Sequence, residues 1–173
     1  NIVGSAIAPP SKEQKECQYP KPVLLNVGQA NIPYPWSPNI VDIQVLRVGQ
    51  LVIIVSPGEA TTMSGRRWRE AVHNYIVSSN IASSPIVVLG GPANSYTHYI
   101  ATEEEYGIQR YEGASTLYGQ HTLNAYINST LTYLPYLADD ATGSPPPGPS
   151  PPDNRENSIS LIAGVVYEGA GFG

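Results

Sequence analysis

Between Asn94 and Gly119 the chain reads NSYTHYIATEEEYGIQRYEGASTLYG, and five of its twelve tyrosines fall in that stretch: Tyr96, Tyr99, Tyr106, Tyr111 and Tyr118. His98, the acidic run Glu103-Glu104-Glu105, and Arg110 beside Glu112 share it. Imidazole and carboxylate are metal ligands and proton carriers, and a phenol is a hydrogen-bond donor with a polarisable ring. No single period organises the stretch, because Tyr96 and Tyr99 are three apart while Tyr106 and Tyr111 fall out of helical phase. A segment dense in Tyr, His, Glu and Gly without an amphipathic pattern reads as a loop that presents polar tips. The same tyrosines also suit half-buried packing with each hydroxyl on a local partner, and spacing alone favours that plainer account. Spacing alone would also pick His98 as the metal ligand, since histidine is the commonest one.

The elements around this stretch decide what it could meet. Ile40 to Arg47 alternates apolar and polar residues, Gly49-Gln50 predicts a tight turn, and Leu51-Val52-Ile53-Ile54-Val55 reads as a buried strand, which together make an antiparallel hairpin. Ala60 to Val77 carries Met63, Ala71, Val72, Tyr75 and Ile76 at helical spacing, with Arg66, Arg67, Arg69 and Glu70 elsewhere, as an amphipathic helix with a solvated or salt-bridged basic face would. Ile86-Val87-Val88-Leu89 is a further buried strand closed by Gly90-Gly91-Pro92. Residues 51–89 therefore predict strand, helix, strand, the unit that makes parallel pairs. Ligands gather beyond the carboxyl ends of such strands. Glu59 lies just past the first strand and 94–99 just past the next, so a parallel pair would bring them to one edge. Glu59 has a plainer use as a carboxylate favouring a helix N-terminus.

Elsewhere the signals are structural. Residues 1–22 read as an exposed loop, 23–27 as a short strand, and 32–38 (IPYPWSP) as extended chain, because alternate prolines remove donors. Leu123, Tyr126, Ile127, Leu131 and Leu134 keep helical spacing within a helix expected over 124–137, with Thr122 as a possible cap. Residues 143–152 (GSPPPGPSPP) are Pro-rich and unable to pack, and 159–166 is a last strand candidate. His98 and His121 read as hydrogen-bonded loop residues, and Cys17 as a buried thiol or half of a disulfide rather than a nucleophile. With 173 residues, a net charge of −5 and only nine Lys and Arg, one domain with a real core is expected, and nucleic acid is not an expected partner. Asn128-Ser129-Thr130 is a glycosylation sequon if the protein is secreted. The abrupt ends suggest a piece of a larger protein. The fold class expected is α/β (mixed α+β), a β-sheet core with flanking helices.

The runs PGEATTMSGRRWREAV (57–72) and NSYTHYIATEEEYGIQRYEGASTLYGQHTL (94–123), with KPVLLNVGQ and PYPWSPNIVDIQVLRVGQLVII upstream, resemble the neutral ceramidases, and the likeness is dense over roughly 17–135. The resemblance implies a zinc-dependent hydrolase of the ceramide amide, giving sphingosine and a fatty acid. It implies that 1–142 are the C-terminal part of the catalytic domain, 143–157 an exposed linker, and 158–173 a connection toward an immunoglobulin-like domain. By motif position Glu59 in PGEATTM and Tyr99 in YTHYI match the family's zinc ligands. Tyr111 in QRYEGAS matches the catalytic tyrosine that faces the substrate amide. The family's zinc-binding histidines and its serine are implied to lie upstream of this sequence, whose histidines are His73, His98 and His121. Further implications are ceramide presented at a membrane or micelle surface, the N-terminal part of the same domain as partner, and a secreted or extracellular location. A non-catalytic secreted module that binds lipid or glycan, and another zinc metallohydrolase such as a peptidase, are the competing functions.

Overall fold

The computed structural model describes residues 9–23, 26–108 and 110–156. In chain order its elements are α1 (Lys12–Cys17), β1 (Gln44–Val48), β2 (Leu51–Val55), β3 (Glu59–Ala60), α2 (Thr62–Ser78), β4 (Ile86–Gly90), β5 (Tyr99–Ile100), α3 (Glu103–Tyr106), α4 (Tyr111–Ala114) and α5 (Thr122–Tyr133). Short 3₁₀ turns cover Val27–Gln29 and Leu134–Leu137.

The hairpin and the crossover both form. β1 and β2 pair antiparallel with Val48 opposite Leu51, and Gly49 takes the left-handed conformation (φ 59°) that the two-residue turn requires. β2 and β4 pair parallel with Leu51 opposite Ile86, in the order β1-β2-β4. A parallel pair needs a long crossover, and α2 supplies it. Thr61 caps α2 by accepting the Ser64 N–H, so the helix starts at Thr62, three residues after Glu59.

One face of the sheet is covered and the other is not. Val52 and Ile54 pack with Trp68, Val72 and Ile76 of α2 and with Leu123 and Tyr126 of α5. Trp68, absent from the helical pattern above, is 1 % exposed and central to that core, whereas Met63 is 42 % exposed. The Trp68 indole donates to Thr130 Oγ1 at 3.0 Å, and Thr130 donates to the Tyr126 carbonyl at 2.7 Å. Thr130 thus has a structural reason to follow Asn128 by two positions. On the opposite face Leu46, Val48, Leu51, Ile86 and Val88 remain exposed among the described residues.

Several local expectations change. Residues 12–17 are helical rather than loop, with Ser11 and Gln14 forming a reciprocal capping box, and Lys21 is buried at 8 % exposure. Val27–Gln29 is a 3₁₀ turn where a strand end was expected, while 24 and 25 lie outside the described residues. Thr122 is the first residue of α5, not its cap, and its hydroxyl donates to the Gly119 carbonyl. Cys17 is an exposed free thiol, which corrects its reading as buried. Residues 143–152 are irregular and exposed, and the strand expected over 159–166 lies outside the described residues.

Candidate active site

The carboxyl ends of β2 and β4 are stitched together by main-chain bonds. The Ser56 N–H donates to the Gly90 carbonyl at 2.8 Å, and the Ala93 N–H donates to the Ser56 carbonyl at 3.0 Å. From there the two chains run on as β3 and β5, again parallel, with Glu59 directly opposite Tyr99. The Glu59 N–H donates to the His98 carbonyl at 2.8 Å, and the Thr97 N–H donates to the Pro57 carbonyl at 2.9 Å. Gly58 makes that approach possible: a Cβ there would lie 2.6 Å from Thr97 Oγ1 and 2.8 Å from the His98 carbonyl oxygen. His98 itself adopts φ 59°, a left-handed backbone uncommon for a residue with a Cβ and characteristic of functional loops. Glu59 therefore sits in a strand next to the tyrosine segment, and the helix-start role falls to Thr61.

The segment 94–119 is more ordered than a loop. Thr102 and Glu105 make a reciprocal capping box for α3, so the acidic run occupies a helix N-terminus, where its charge complements the positive end of the helix dipole. The tyrosines then divide by role. The Tyr106 hydroxyl donates to Gln18, the Tyr118 hydroxyl to the Pro38 carbonyl and, from α5, the Tyr126 hydroxyl to Thr97. These are the packing tyrosines. Tyr96, Tyr99 and Tyr111 gather instead near Glu59.

The Tyr96 hydroxyl donates to Glu59 Oε1 at 2.6 Å. Together with a hydrogen bond from Tyr99, this holds the Glu59 carboxyl below its usual range, and the nearby His98 adds a smaller pull. The reciprocal effect raises the Tyr96 phenol and pushes Tyr99 up to about 12, because Glu59 accepts their protons and repels a phenolate. The Tyr111 ring meets Tyr99 edge-on at 5.4 Å between centroids, and Tyr111 is 72 % exposed. His98 packs its ring 5.1 Å from Tyr96 and lines a cavity of about 470 Å³ with Cys17, Gln18, Lys21, Ser37 and Tyr118. His121 is engaged elsewhere, hydrogen-bonding Glu103 Oε1 at 2.7 Å, and Arg67 pairs with Glu104 at 2.9 Å on an exposed helix face.

An ionised carboxylate and a phenol oxygen on adjacent strands are two hard donors of the kind zinc accepts. Among the described residues no three His, Cys, Asp or Glu side chains converge. A catalytic zinc takes three protein ligands, so Glu59 and Tyr99 fit part of such a site and leave the remaining ligands to other residues. At about 12 the free phenol of Tyr99 is protonated at neutral pH, and a bound cation would reverse that preference.

Residues 1–128 match the family model described as neutral/alkaline non-lysosomal ceramidase, N-terminal. The chain belongs to the neutral/alkaline ceramidase family. It is 47 % identical to neutral ceramidase 2 of Arabidopsis thaliana over 99 % of this chain and 23 % of that protein. To the neutral ceramidase of Oryza sativa subsp. japonica it is 47 % identical over 99 % of this chain and 22 % of that protein. The chain thus spans about a quarter of the length of the curated relatives it matches. Its structure is similar to that of the neutral ceramidase from Pseudomonas aeruginosa, with TM-score 0.72 and 36 % identity over 86 % of this chain and 23 % of the other. It is also similar to a ceramidase complexed with C2, with TM-score 0.69 and 36 % identity over 85 % of this chain and 23 % of the other.

Tyr96 is the site residue that spacing left unassigned. Its signal, a tyrosine three positions before Tyr99, is indistinguishable in sequence from the spacing of packing tyrosines.

Proposed function

We propose that this chain supplies part of the active site of a zinc-dependent amidohydrolase that splits ceramide into sphingosine and a free fatty acid. The observation that carries the reading is the Glu59–Tyr99 register across β3 and β5, with Tyr111 beside Tyr99, in a ceramidase-family chain. Glu59 and Tyr99 are two of the zinc ligands, and the others come from the rest of the catalytic domain. When bound, zinc acts as a Lewis acid and makes hydroxide available from water at neutral pH. Water adds to the amide carbonyl, the C–N bond breaks, and the amine leaves with a proton. Tyr111, exposed and hinged on Tyr99, donates a hydrogen bond to the oxygen on which negative charge develops. Tyr96 holds the Glu59 carboxylate ionised and oriented toward Tyr99.

The wider assignments belong to the same proposal. Ceramide is met at a membrane or micelle surface, the protein works in the secretory pathway or outside the cell, and an immunoglobulin-like domain follows 158–173. Residues 1–142 are the C-terminal part of the catalytic domain and 143–157 a linker.

The test uses the full-length polypeptide. Glu59→Gln, which removes an anionic ligand, is expected to purify with substoichiometric zinc. Tyr111→Phe is expected to keep its zinc and lose about 10²–10³ in kcat on N-acylsphingosines in detergent micelles, with KM nearly unchanged. Full zinc and normal turnover in both variants would remove these residues from the mechanism. Cleavage of peptides in preference to N-acylsphingosines would replace the reaction.

A further inference from the structure

Lys21 is a buried cation whose contacts are all to main chain and one aromatic ring, and nothing in the proposed chemistry uses it. It is 8 % exposed, and its ammonium donates to the carbonyls of Gly113 at 3.1 Å, Ala114 at 3.1 Å and Thr116 at 2.8 Å. An ammonium has three N–H donors, and all three are spent on main chain. The same nitrogen stands 4.4 Å from the centre of the Tyr106 ring, whose π face attracts it. Gly113 lets α4 sit close on α3, since an added Cβ there would lie 2.5 Å from the Glu105 carbonyl oxygen and 3.2 Å from Tyr106 Cα, while the Tyr106 hydroxyl ties α3 to Gln18.

The three carbonyls bracket Ser115, and the Ser115 carbonyl accepts the Tyr99 N–H at 3.2 Å. Tyr111 opens the same four-residue helix that those carbonyls close. Thr116 adds a second tie, donating to the Glu112 carbonyl at 2.9 Å and accepting the Ala101 N–H at 3.2 Å. A helix of four residues has almost no internal hydrogen bonding to hold it, so its geometry must come from outside. A cation on its terminal carbonyls supplies that and also favours its dipole.

We propose that Lys21 is a positioning residue that sets the placement of Tyr111 against Tyr99 by clamping the carbonyl end of α4 and the turn that follows it. It touches no reacting atom. Its three donors are occupied, which leaves it no role as a base or nucleophile in this arrangement. The inference rests on the reading of Tyr99 and Tyr111 as site residues, and its test separates the two.

In the full-length polypeptide, Lys21→Met keeps the stem and removes all three donors. Arg47→Met is the comparator, since it breaks contacts to the Leu137 carbonyl and Asp139 at the far end of the sheet. 3-Fluorotyrosine in place of Tyr111 reports the surroundings of that ring by ¹⁹F resonance, independently of turnover. Lys21→Met is expected to move or broaden the resonance and to lower kcat about tenfold or more at nearly constant KM, as misplacement of a group acting in the transition state does. Arg47→Met is expected to lower the melting temperature and leave both readouts alone. Lys21→Gln, which keeps N–H donors on a shorter stem, gives the same two readouts if Lys21→Met does not accumulate. An unchanged resonance with unchanged kcat overturns the proposal. A moved resonance with unchanged kcat upholds the clamp and instead refutes the role of Tyr111.

Discussion

Replacing Gly58 by alanine should disable the site without touching any side chain in it. Gly58 carries no positive φ, so alanine meets no backbone penalty there and the effect is steric. The added Cβ would stand 2.8 Å from the His98 carbonyl oxygen, where ordinary contact begins at 3.4 Å, and 2.6 Å from Thr97 Oγ1. Thr97 has little room to rotate away, being 1 % exposed and hydrogen-bonded by Tyr126. Relief must come from a shift of roughly 0.6 Å between the Gly58 and His98 backbones, the difference between those contact distances. The His98 carbonyl that must yield is the one that accepts the Glu59 N–H at 2.8 Å, a bond that also holds Glu59 opposite Tyr99. Overpacking of this kind typically costs about 1–3 kcal/mol. A displacement approaching 1 Å at a reacting constellation costs on the order of 10²-fold in rate, so a loss of about 10- to 100-fold in kcat is expected. The assay is kcat, zinc content and melting temperature on one preparation of the full-length polypeptide. Gly65→Ala in α2, where the Cβ meets nothing within 4 Å, is the matched control and should hold or raise stability. Wild-type kcat and zinc in Gly58→Ala would refute the claim that the β3–β5 approach sets the site.

Tyr99→Phe should lower zinc affinity or activity far more than His98→Asn; the opposite order in a metal titration would place the ligand one residue earlier. Glu104, held down to about 2 by Arg67, has a folded value below its ordinary 4.5. Its contribution to stability is therefore complete above about pH 4.5 and fades as pH falls toward 2, so melting curves of Glu104→Gln and the parent should differ at neutral pH and converge near pH 2. Thr130→Val strands the buried Trp68 indole N–H and should cost about 1–3 kcal/mol in denaturant unfolding while leaving zinc content unchanged.

Parts of this arrangement were legible in sequence because they rest on period and punctuation. The β1–β2 hairpin shows in the alternation from Ile40 and in Gly49, and the β2–α2–β4 crossover in two aliphatic runs flanking a helical one. Chain order alone then brought Glu59 to the edge shared with 94–99. What failed to show was either too short to have a period or held from far away. β3 and β5 have two residues each, and α4 has four. α3 did carry a local signal, the Thr102–Glu105 capping pattern, hidden by the tyrosines around it. Lys21 bonds carbonyls more than ninety positions along the chain, and Trp68 finds its partner sixty-two positions away, so no window around either residue announces burial. The ligand and catalytic roles proposed for Glu59, Tyr99 and Tyr111 rest on family motifs and not on spacing, which preferred His98.

The uncovered sheet face has a consequence for the cell as well as for the site. Leu46, Val48, Leu51, Ile86 and Val88 form an aliphatic surface on a sheet whose outer strands, β1 and β4, both have free edges among the described residues. LVIIV and IVVL are mostly β-branched, uncharged and free of proline, the composition that self-associates when exposed. A polypeptide that leaves this face uncovered, for instance after proteolysis, would display what chaperones hold and degradation machinery removes. Its steady-state level, rather than any loss of chemistry, would then decide whether such a product is ever seen.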